Sequence, residues 1–242
     1  MTNVLIAGFG EIGTAIKKIE EEMGNTVHII ERHEQVDPDT IDAKVMHVCF
    51  PYSDDFTLFV ADYYEQYKPE LTIIHSTIPI GTTKRIEEMV ASYVVHSPVR
   101  GIHPNLYAGI MMFTKYVGGR EKDVEAGSVY LESLGITTHK IIDAKHTELM
   151  KILSTSYYGW NILFAKEVQK LCKLYDLQYD EVYTHPNNTY NEGYEELGMP
   201  NVRRPVLYPP EGKIGGHCIA PNFELLPDSL LKRMAKELNE NE

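Results

Sequence analysis

The N-terminal stretch Val4-Leu5-Ile6-Ala7-Gly8-Phe9-Gly10-Glu11-Ile12-Gly13 joins a short apolar run to the pattern G-x-G-x-x-G. A continuous apolar run that ends in glycine is typical of a strand buried on both faces of a parallel sheet. Residues 13–23 predict a helix directly after it, because Ile12, Ile16 and Ile19 recur at helical spacing and Gly24 follows as a stop. The stretch therefore predicts the strand, turn and helix with which a doubly wound α/β fold begins.

The three glycines also have a chemical meaning. The first permits a tight turn, the second lets a pyrophosphate approach the backbone, and the third lets helix and strand pack closely. The helix N-terminus then offers free N–H groups to the phosphates, so we expect a dinucleotide site; a glycine turn in another α/β fold is the alternative. The expected cofactor-binding residues of this loop are Gly8, Gly10, Glu11, Ile12 and Gly13.

Glu31 indicates which dinucleotide binds. It ends the second predicted strand, where a carboxylate hydrogen-bonds both ribose hydroxyls and repels a 2′-phosphate. Arg32 could accept such a phosphate, but we expect the carboxylate before it to dominate, which favours NAD over NADP. Ligands of open α/β sheets bind outside the carboxyl ends of the strands. The expected cofactor site therefore also includes Pro51, Ser76 and Thr77.

Further apolar, β-branched runs alternate with helical or turn sequence, which predicts βαβ units and a parallel sheet. The predicted strands of this sheet, about six in all, lie at 4–7, 27–30, 45–50, 71–75, 93–96 and 137–142. A helix is predicted at 124–134, and Thr82 or Thr83 is expected to cap a helix after the fourth strand. We interpret residues 1–142 as one Rossmann-like domain.

Residues 143–242 differ in character and predict a small, mainly helical domain. Residues 144–175 contain no proline and predict one long helix, about 45 Å in length. Such a helix needs a second surface, either residues 176–242 or another subunit. We expect a homodimer, with Trp160, Leu163 and Phe164 near the contact. A final helix is predicted at 228–238, with Asp228 as its N-cap.

The composition excludes several classes of protein. The chain has 43% hydrophobic and 24% charged residues and a net charge of −12, with no sustained basic run, so nucleic acid is not an expected partner. No apolar stretch approaches the roughly 18 residues of a membrane span, and no basic segment precedes the first strand, so we expect a cytoplasmic protein. The three cysteines are far apart and form no Cys-x-x-Cys pair, which indicates neither a disulfide framework nor a structural metal site.

Cys218 is the candidate nucleophile. It follows Gly215-Gly216-His217 in a Gly- and Pro-rich stretch, and flanking glycines let the backbone approach a substrate and expose the sulfur. A small buried cysteine is the alternative, and it is the one we expect for Cys49 and Cys172.

Lys151 is the candidate oxyanion-binding residue. Glu148 lies three residues before it and Thr155 four after it, so the three share one helix face. An ammonium there can stabilise a developing oxyanion. The alternative is a solvated charged pair between Glu148 and Lys151.

Taken together, these motifs resemble the nucleotide-sugar dehydrogenases, the UDP-glucose and GDP-mannose 6-dehydrogenase family. The resemblance implies an NAD-dependent, two-step oxidation of a primary alcohol to a carboxylate, with release of two NADH. It implies that Cys218 holds the substrate as a thiohemiacetal and then a thioester, that Lys151 stabilises the oxyanion, and that Thr77 positions a water or the substrate hydroxyl. The matching segments are the glycine loop, Ser76–Thr83, Val117–Gly119, Thr147–Lys151, Lys166–Glu167 and Gly215–Ile219.

The chain also departs from the family. Pro221 and Asn222 stand where the family has a lysine and an aspartate, and Thr155 stands where it has an asparagine. Two family carboxylates are absent, whether their segment aligns with Ser97-Pro98-Val99 or with His103-Pro104-Asn105-Leu106. His103 is then either a replacement base or a histidine at a helix start. We also expect the family's C-terminal nucleotide-binding domain to be lacking.

Two other functions stay open. One is a single-hydride dehydrogenase of the β-hydroxyacid or prephenate type, and the other is a non-catalytic NAD-binding module. Arg203 and Arg204 could bind a phosphate or carboxylate, or be solvated surface residues. The expected substrate-contacting residues are His103, Asn105, Thr155, Arg203, Arg204 and Asn222.

Overall fold

The structure, a computed structural model, describes residues 1–31, 36–101, 104–214 and 219–240, without the side chain of Ala220. Arg32, His103 and the segment Gly215–Cys218 therefore lie outside the described residues. The chain divides into two compact units, Met1–Lys151 and Ile152–Glu242. No helix in the described ranges is long and apolar enough to cross a membrane.

The first unit contains an α/β Rossmann-like sheet, as the sequence predicts. Its strands are β1 (Asn3–Ala7), β2 (Thr26–Ile30), β3 (Val45–Val48), β4 (Leu71–Ile74), β5 (Tyr93–His96), β6 (Lys115–Gly119) and β7 (Thr138–Ile142). The order across the sheet is β2-β1-β3-β4-β5-β6-β7. All neighbours are parallel except β5 and β6, which are antiparallel.

The helices cover both faces of this sheet, which explains the apolar strands. Two clusters of buried side chains lie on its two sides, one around Ile16 and Val95 and the other around Phe56 and Ile74. The helices of the unit are α1 (Glu11–Glu22), α2 (Phe56–Tyr67), α3 (Thr82–Met89), α4 (Leu106–Met112), α5 (Glu121–Ser133) and the start of α6 (Lys145–Leu174).

The sixth strand, β6, was not predicted, and the estimate of about six strands was therefore one too low. Its sequence, Lys115-Tyr116-Val117-Gly118-Gly119, begins with a lysine and ends with two glycines, which weakens the strand pattern. Gly118 is required by packing, because a Cβ there would lie 2.4 Å from the hydroxyl oxygen of Thr147 on α6. Close approach of a helix thus overrides local strand propensity.

The second unit is helical among its described residues. It holds the rest of α6, then α7 (His185–Glu196), α8 (Ile219–Leu225) and α9 (Leu230–Glu240), with short turns of 3₁₀ or π type at Asp180–Thr184 and Pro200–Val202. A Cβ at Gly159 would lie 2.5 Å from the Phe223 ring, so this glycine lets α8 pack on α6.

Asp228 does not cap the final helix as predicted. The N-cap is Ser229, whose hydroxyl accepts from the Lys232 amide at 3.2 Å. The Asp228 carboxylate instead accepts from the Arg233 guanidinium at 3.0 Å.

Candidate active site

The glycine loop makes a tight turn and leaves open space at the start of α1. Gly8 adopts φ +93°, and a Cβ on it would lie 2.8 Å from the Phe50 amide nitrogen. A Cβ on Gly13 would lie 2.2 Å from the Gly8 carbonyl oxygen, so only glycine lets α1 pack this closely on the turn. A Cβ on Gly10 would meet nothing within 4 Å, which leaves open space at the N-terminus of α1.

Glu31 lies beside this loop, directly after β2. Its Oε1 accepts a hydrogen bond from the Phe9 amide at 3.0 Å, which holds the carboxylate next to the glycine turn. Glu11 lies in the first turn of α1, and Ile12 packs against the adjacent apolar cluster. Pro51, after β3, is exposed.

Four parallel strands end at one edge of the sheet. The register pairs Ala7 with Val48, Val48 with Ile74 and Ile74 with His96. The glycine loop and the segments that follow β3, β4 and β5 therefore leave the sheet at the same edge, where ligands of this fold class bind.

Ser76 and Thr77 differ in their surroundings. The Ser76 hydroxyl is buried and donates to the Phe50 carbonyl at 2.6 Å. This hydrogen bond joins the segments that follow β3 and β4. Thr77 is half-buried at the same edge.

Glu148 is not a solvated partner of Lys151. It is fully buried and accepts from the Gly81 amide at 2.5 Å, the Thr83 amide at 2.8 Å and the Thr83 hydroxyl at 2.7 Å. The prediction that Thr82 or Thr83 caps α3 is therefore wrong: the N-cap is Gly81, at φ +87°, and a carboxylate from α6 satisfies the free N–H groups. The only sequence signal that linked Ser76–Thr83 with Thr147–Lys151 was that both segments match the same family.

Lys151 lies at the carboxyl edge, half-buried. Its Nζ donates to the Val99 carbonyl at 2.9 Å, which fixes the ammonium beside the segment that follows β5. Thr155, one turn later on α6, is also half-buried.

The predicted substrate residues of the second unit have partners of their own. Arg203 pairs with Glu195 at 3.3 Å. The Arg204 guanidinium stacks 3.7 Å from the Tyr190 ring centroid and donates to the Asn187 side chain at 3.3 Å. The remaining described candidates are Asn222, which is buried, and, in the first unit, Asn105, which is exposed at the start of α4.

Two of the three cysteines lie in the described part of the chain. Cys49 and Cys172 are free and buried, which confirms their prediction as core residues. Burial raises the pKa of the Cys49 thiol far above its ordinary range, so this sulfur stays protonated. The predictions for Cys218 and His103 fall outside the described residues.

Comparison with known proteins gives related sequences, although no family model matches. The chain is 30% identical over 180 residues to the UDP-N-acetyl-D-mannosamine dehydrogenase of Methanocaldococcus jannaschii, an alignment that covers 71% of this chain and 39% of that protein. The chain thus spans about two fifths of the length of that curated relative.

Solved structures give the same fold. The UDP-D-ManNAc dehydrogenase of Pyrococcus horikoshii superimposes with a TM-score of 0.77 at 20% identity, over 99% of this chain and 68% of that one. The 3-hydroxyisobutyrate dehydrogenase of Mycobacterium tuberculosis superimposes with a TM-score of 0.69 at 16% identity, over 100% and 93%. The sequence matches agree with the motifs: the chain is similar to nucleotide-sugar dehydrogenases over part of their length.

Proposed function

We propose that this chain is an NAD-dependent dehydrogenase that oxidises a primary alcohol of a sugar or sugar-like substrate. The observation that carries the proposal is one shared edge: the glycine loop with Glu31, then Thr77, then Val99 with the Lys151 ammonium, all follow the carboxyl ends of adjacent parallel strands. This arrangement supports a cofactor cradle and a cation for an alcohol oxygen within one unit.

The residues present fit NAD. Open space at Gly10, bounded by glycines that tolerate no side chain, leaves room for a pyrophosphate at the N-terminus of α1. Glu31 would hold the adenosine ribose, and Thr77, after β4, would position a water or the substrate hydroxyl. Bound NAD would supply a hydride acceptor.

Residues of this chain would then act on the oxygen and the carbon of the substrate alcohol. The Lys151 ammonium would stabilise the negative charge that develops on the substrate oxygen as its proton leaves. The Cys218 thiolate would add to the aldehyde carbon to give a thiohemiacetal. This adduct would lose a hydride to a second NAD and its hydroxyl proton to water, which leaves a thioester. Water would then cleave the thioester to the carboxylate and the free thiol. Each substrate molecule would lose two hydrides over these steps.

Two hydrogen bonds anchor the backbone of the described residues that precede Gly215. The buried Lys166 ammonium donates to the Gly212 carbonyl at 2.5 Å. The Asn239 side chain of α9 accepts from the Ile214 amide at 2.7 Å. The backbone is thus fixed up to the residue that precedes Gly215.

The test is the yield of NADH per alcohol consumed, over a panel of sugars, sugar phosphates and nucleotide sugars. We expect two NADH and a carboxylate product from the wild type, and at most one NADH from Cys218→Ala. Cys172→Ala, which changes a buried cysteine of the same unit, should keep a yield of two. Tight NADH binding without turnover on any alcohol would contradict the proposal.

A single-hydride dehydrogenase is the second candidate. It is favoured by the shared sheet edge, where the glycine loop and the Lys151 ammonium would both serve a single hydride transfer, whereas Cys218 would be used only in a second oxidation. One NADH per substrate, unchanged in Cys218→Ala, would select this candidate.

Glu31 should set the choice of cofactor. We expect Glu31→Ala to lower the preference for NADH over NADPH by about tenfold or more, because a charge-assisted hydrogen bond to the ribose contributes roughly 1.5–3 kcal/mol. Dissociation constants from fluorescence titration measure the ratio. Glu21→Ala, on the exposed face of α1, is the control, and an unchanged ratio in Glu31→Ala would exclude this role.

We also propose a homodimer through α6. Trp160 packs against the core of its own unit and Leu163 is buried in it, but a stripe of exposed apolar side chains recurs along the helix at spacings of three, four and seven. The stripe consists of Leu153, Tyr157, Phe164, Leu171 and Leu174. Phe164→Glu should lower the mass measured by light scattering from dimer to monomer; a wild-type monomer would contradict the proposal.

A cytoplasmic location stays a prediction.

A further inference from the structure

Lys115 is a buried lysine at a position of the sheet where an apolar side chain is expected. Its side chain, on β6, is 3% exposed, and a β-branched apolar residue would suit such a position better. Its Nζ donates to the Ser97 carbonyl at 2.5 Å and to the Pro98 carbonyl at 3.2 Å. Both acceptors lie in the segment that leaves β5 at the carboxyl edge.

Three successive carbonyls of this segment are held by nitrogen donors. Ser97 accepts from Lys115 and also from the His75 ring Nδ1 at 3.0 Å, Pro98 accepts from Lys115, and Val99 accepts from Lys151. The orientation of the Val99 carbonyl, and with it the position of the Lys151 ammonium, therefore depends on how firmly Ser97 and Pro98 are held.

The surroundings of Lys115 weaken its hold on a proton. Burial lowers the pKa of Lys115 to about 7, and the charge of the Lys151 ammonium adds to this change. The groups that face it are Cys49 after β3, His75 after β4, His96 on β5 and Lys151 on α6. Burial keeps both imidazoles neutral by lowering their pKa values, to about 3 for His96 and well below the ordinary value for His75.

We propose that Lys115 is a positioning residue, which fixes the Ser97–Val99 segment and through the Val99 carbonyl aims the Lys151 ammonium at the substrate oxygen. The inference rests on the proposed function for the role of Lys151. Lys115 does not touch the substrate itself; its effect is transmitted through two peptide groups.

The test compares three variants of the full-length protein. Lys115→Met removes the donors, Lys115→Arg keeps a charged donor, and Lys140→Met is a matched control on the exposed face of neighbouring β7. We expect Lys115→Met to lower kcat about ten- to a hundredfold, with KM for NAD within about twofold, because misplacing a reacting group has effects of that size. Lys115→Arg should restore most of kcat.

The pH profile separates positioning from a merely structural role. In the wild type kcat should fall as the pH rises through about 7, where Lys115 loses the charge that strengthens its hydrogen bonds. Lys115→Arg keeps its charge and should lack this inflection. Coincident profiles for the two proteins would overturn the proposal.

A second readout needs no turnover. Trace acetylation with acetic anhydride, followed by mass spectrometry, measures how firmly the Lys151 amine is held. Lys115→Met should raise the rate at Lys151 by about tenfold, the factor that corresponds to one lost hydrogen bond to a charged group, while Lys140→Met leaves it unchanged. An unchanged rate overturns the inference. If the wild type oxidises no alcohol, the proposed function fails, and this rate alone decides whether Lys115 positions Lys151.

Discussion

Lys151→Met should lower the turnover number by about 10²–10³-fold, because removal of one preorganised donor from an oxyanion site has effects of that size. Methionine keeps most of the volume of the side chain but carries no charge, so the loss reports the ammonium and not the packing. The Val99 carbonyl, which accepts from Lys151 at 2.9 Å, faces the same edge and loses its partner in the variant. The measurement is kcat from the initial rate of NADH formation.

The dissociation constant for NADH should stay within about twofold, since the glycine loop and Glu31 are untouched. Lys145→Met is the matched control: it lies two turns earlier on α6, is exposed and pairs with Asp143 at 3.7 Å. We expect wild-type kcat from this control. Equal kcat values for Lys151→Met and Lys145→Met would remove Lys151 from the reaction and leave it as a structural donor to Val99.

Much of the fold could be predicted because burial on both faces of a parallel sheet leaves a strong pattern. The strands at Asn3–Ala7 and Tyr93–His96 read as short apolar runs, and α6 reads as an unbroken helical segment. The glycine loop could also be predicted from the sequence, since each of its three positions either excludes a side chain or leaves open space.

Most of the residues that sequence reasoning missed have partners that are far away in the chain. Glu148 caps a helix that starts more than sixty residues earlier, so no local pattern identified its ligands. Lys115 and Gly118 weaken the strand signal of β6. Lys115 is held by the Ser97 and Pro98 carbonyls, and Gly118 is required by the packing of α6. Ser229 and Asp228 are neighbours with equal capping propensity, and the pairing of Asp228 with Arg233 decides between them.

A buried polar chain crosses the sheet and was not predicted at all. The Glu20 carboxylate of α1 lies 2.8 Å from Nε2 of His47 on β3, and Nδ1 of His47 lies 2.8 Å from Nε2 of His75. His75 must donate through Nδ1 to the Ser97 carbonyl, which only accepts, and its ring is neutral. His47 therefore donates to His75, and one proton is left between His47 and Glu20.

Glu20→Ala should lower the free energy of unfolding by about 3–5 kcal/mol, the cost of removing one partner from a buried ionic pair. The carboxylate is fully buried, and it also accepts from Asn25 at 2.7 Å and from the Tyr130 hydroxyl at 2.9 and 3.0 Å. The variant leaves these donors without a partner. Urea unfolding followed by circular dichroism measures the difference.

Glu21→Ala is the matched control, since Glu21 neighbours Glu20 on α1 but is exposed and pairs with Lys17 at 3.6 Å. We expect this control to change stability by less than about 1 kcal/mol. A loss in Glu20→Ala no larger than that of Glu21→Ala would show that the buried chain contributes nothing to stability.

The stability contributed by Glu20 should also depend on pH, in a direction that the structure sets. Burial acts to raise the pKa of this carboxyl, but the hydrogen bond and charge of His47, with Asn25 and Tyr130, outweigh burial and hold the pKa below its ordinary value of 4.5. A lowered folded-state pKa gives stability that is fully present above the unfolded value and is lost as the pH falls through the folded value. The stability curves of the wild type and Glu20→Gln should therefore converge as the pH falls from the ordinary value of 4.5 through the lower, folded-state pKa. Curves that stay parallel down to the lowest pH at which both proteins remain folded would show that Glu20 is not held as a carboxylate.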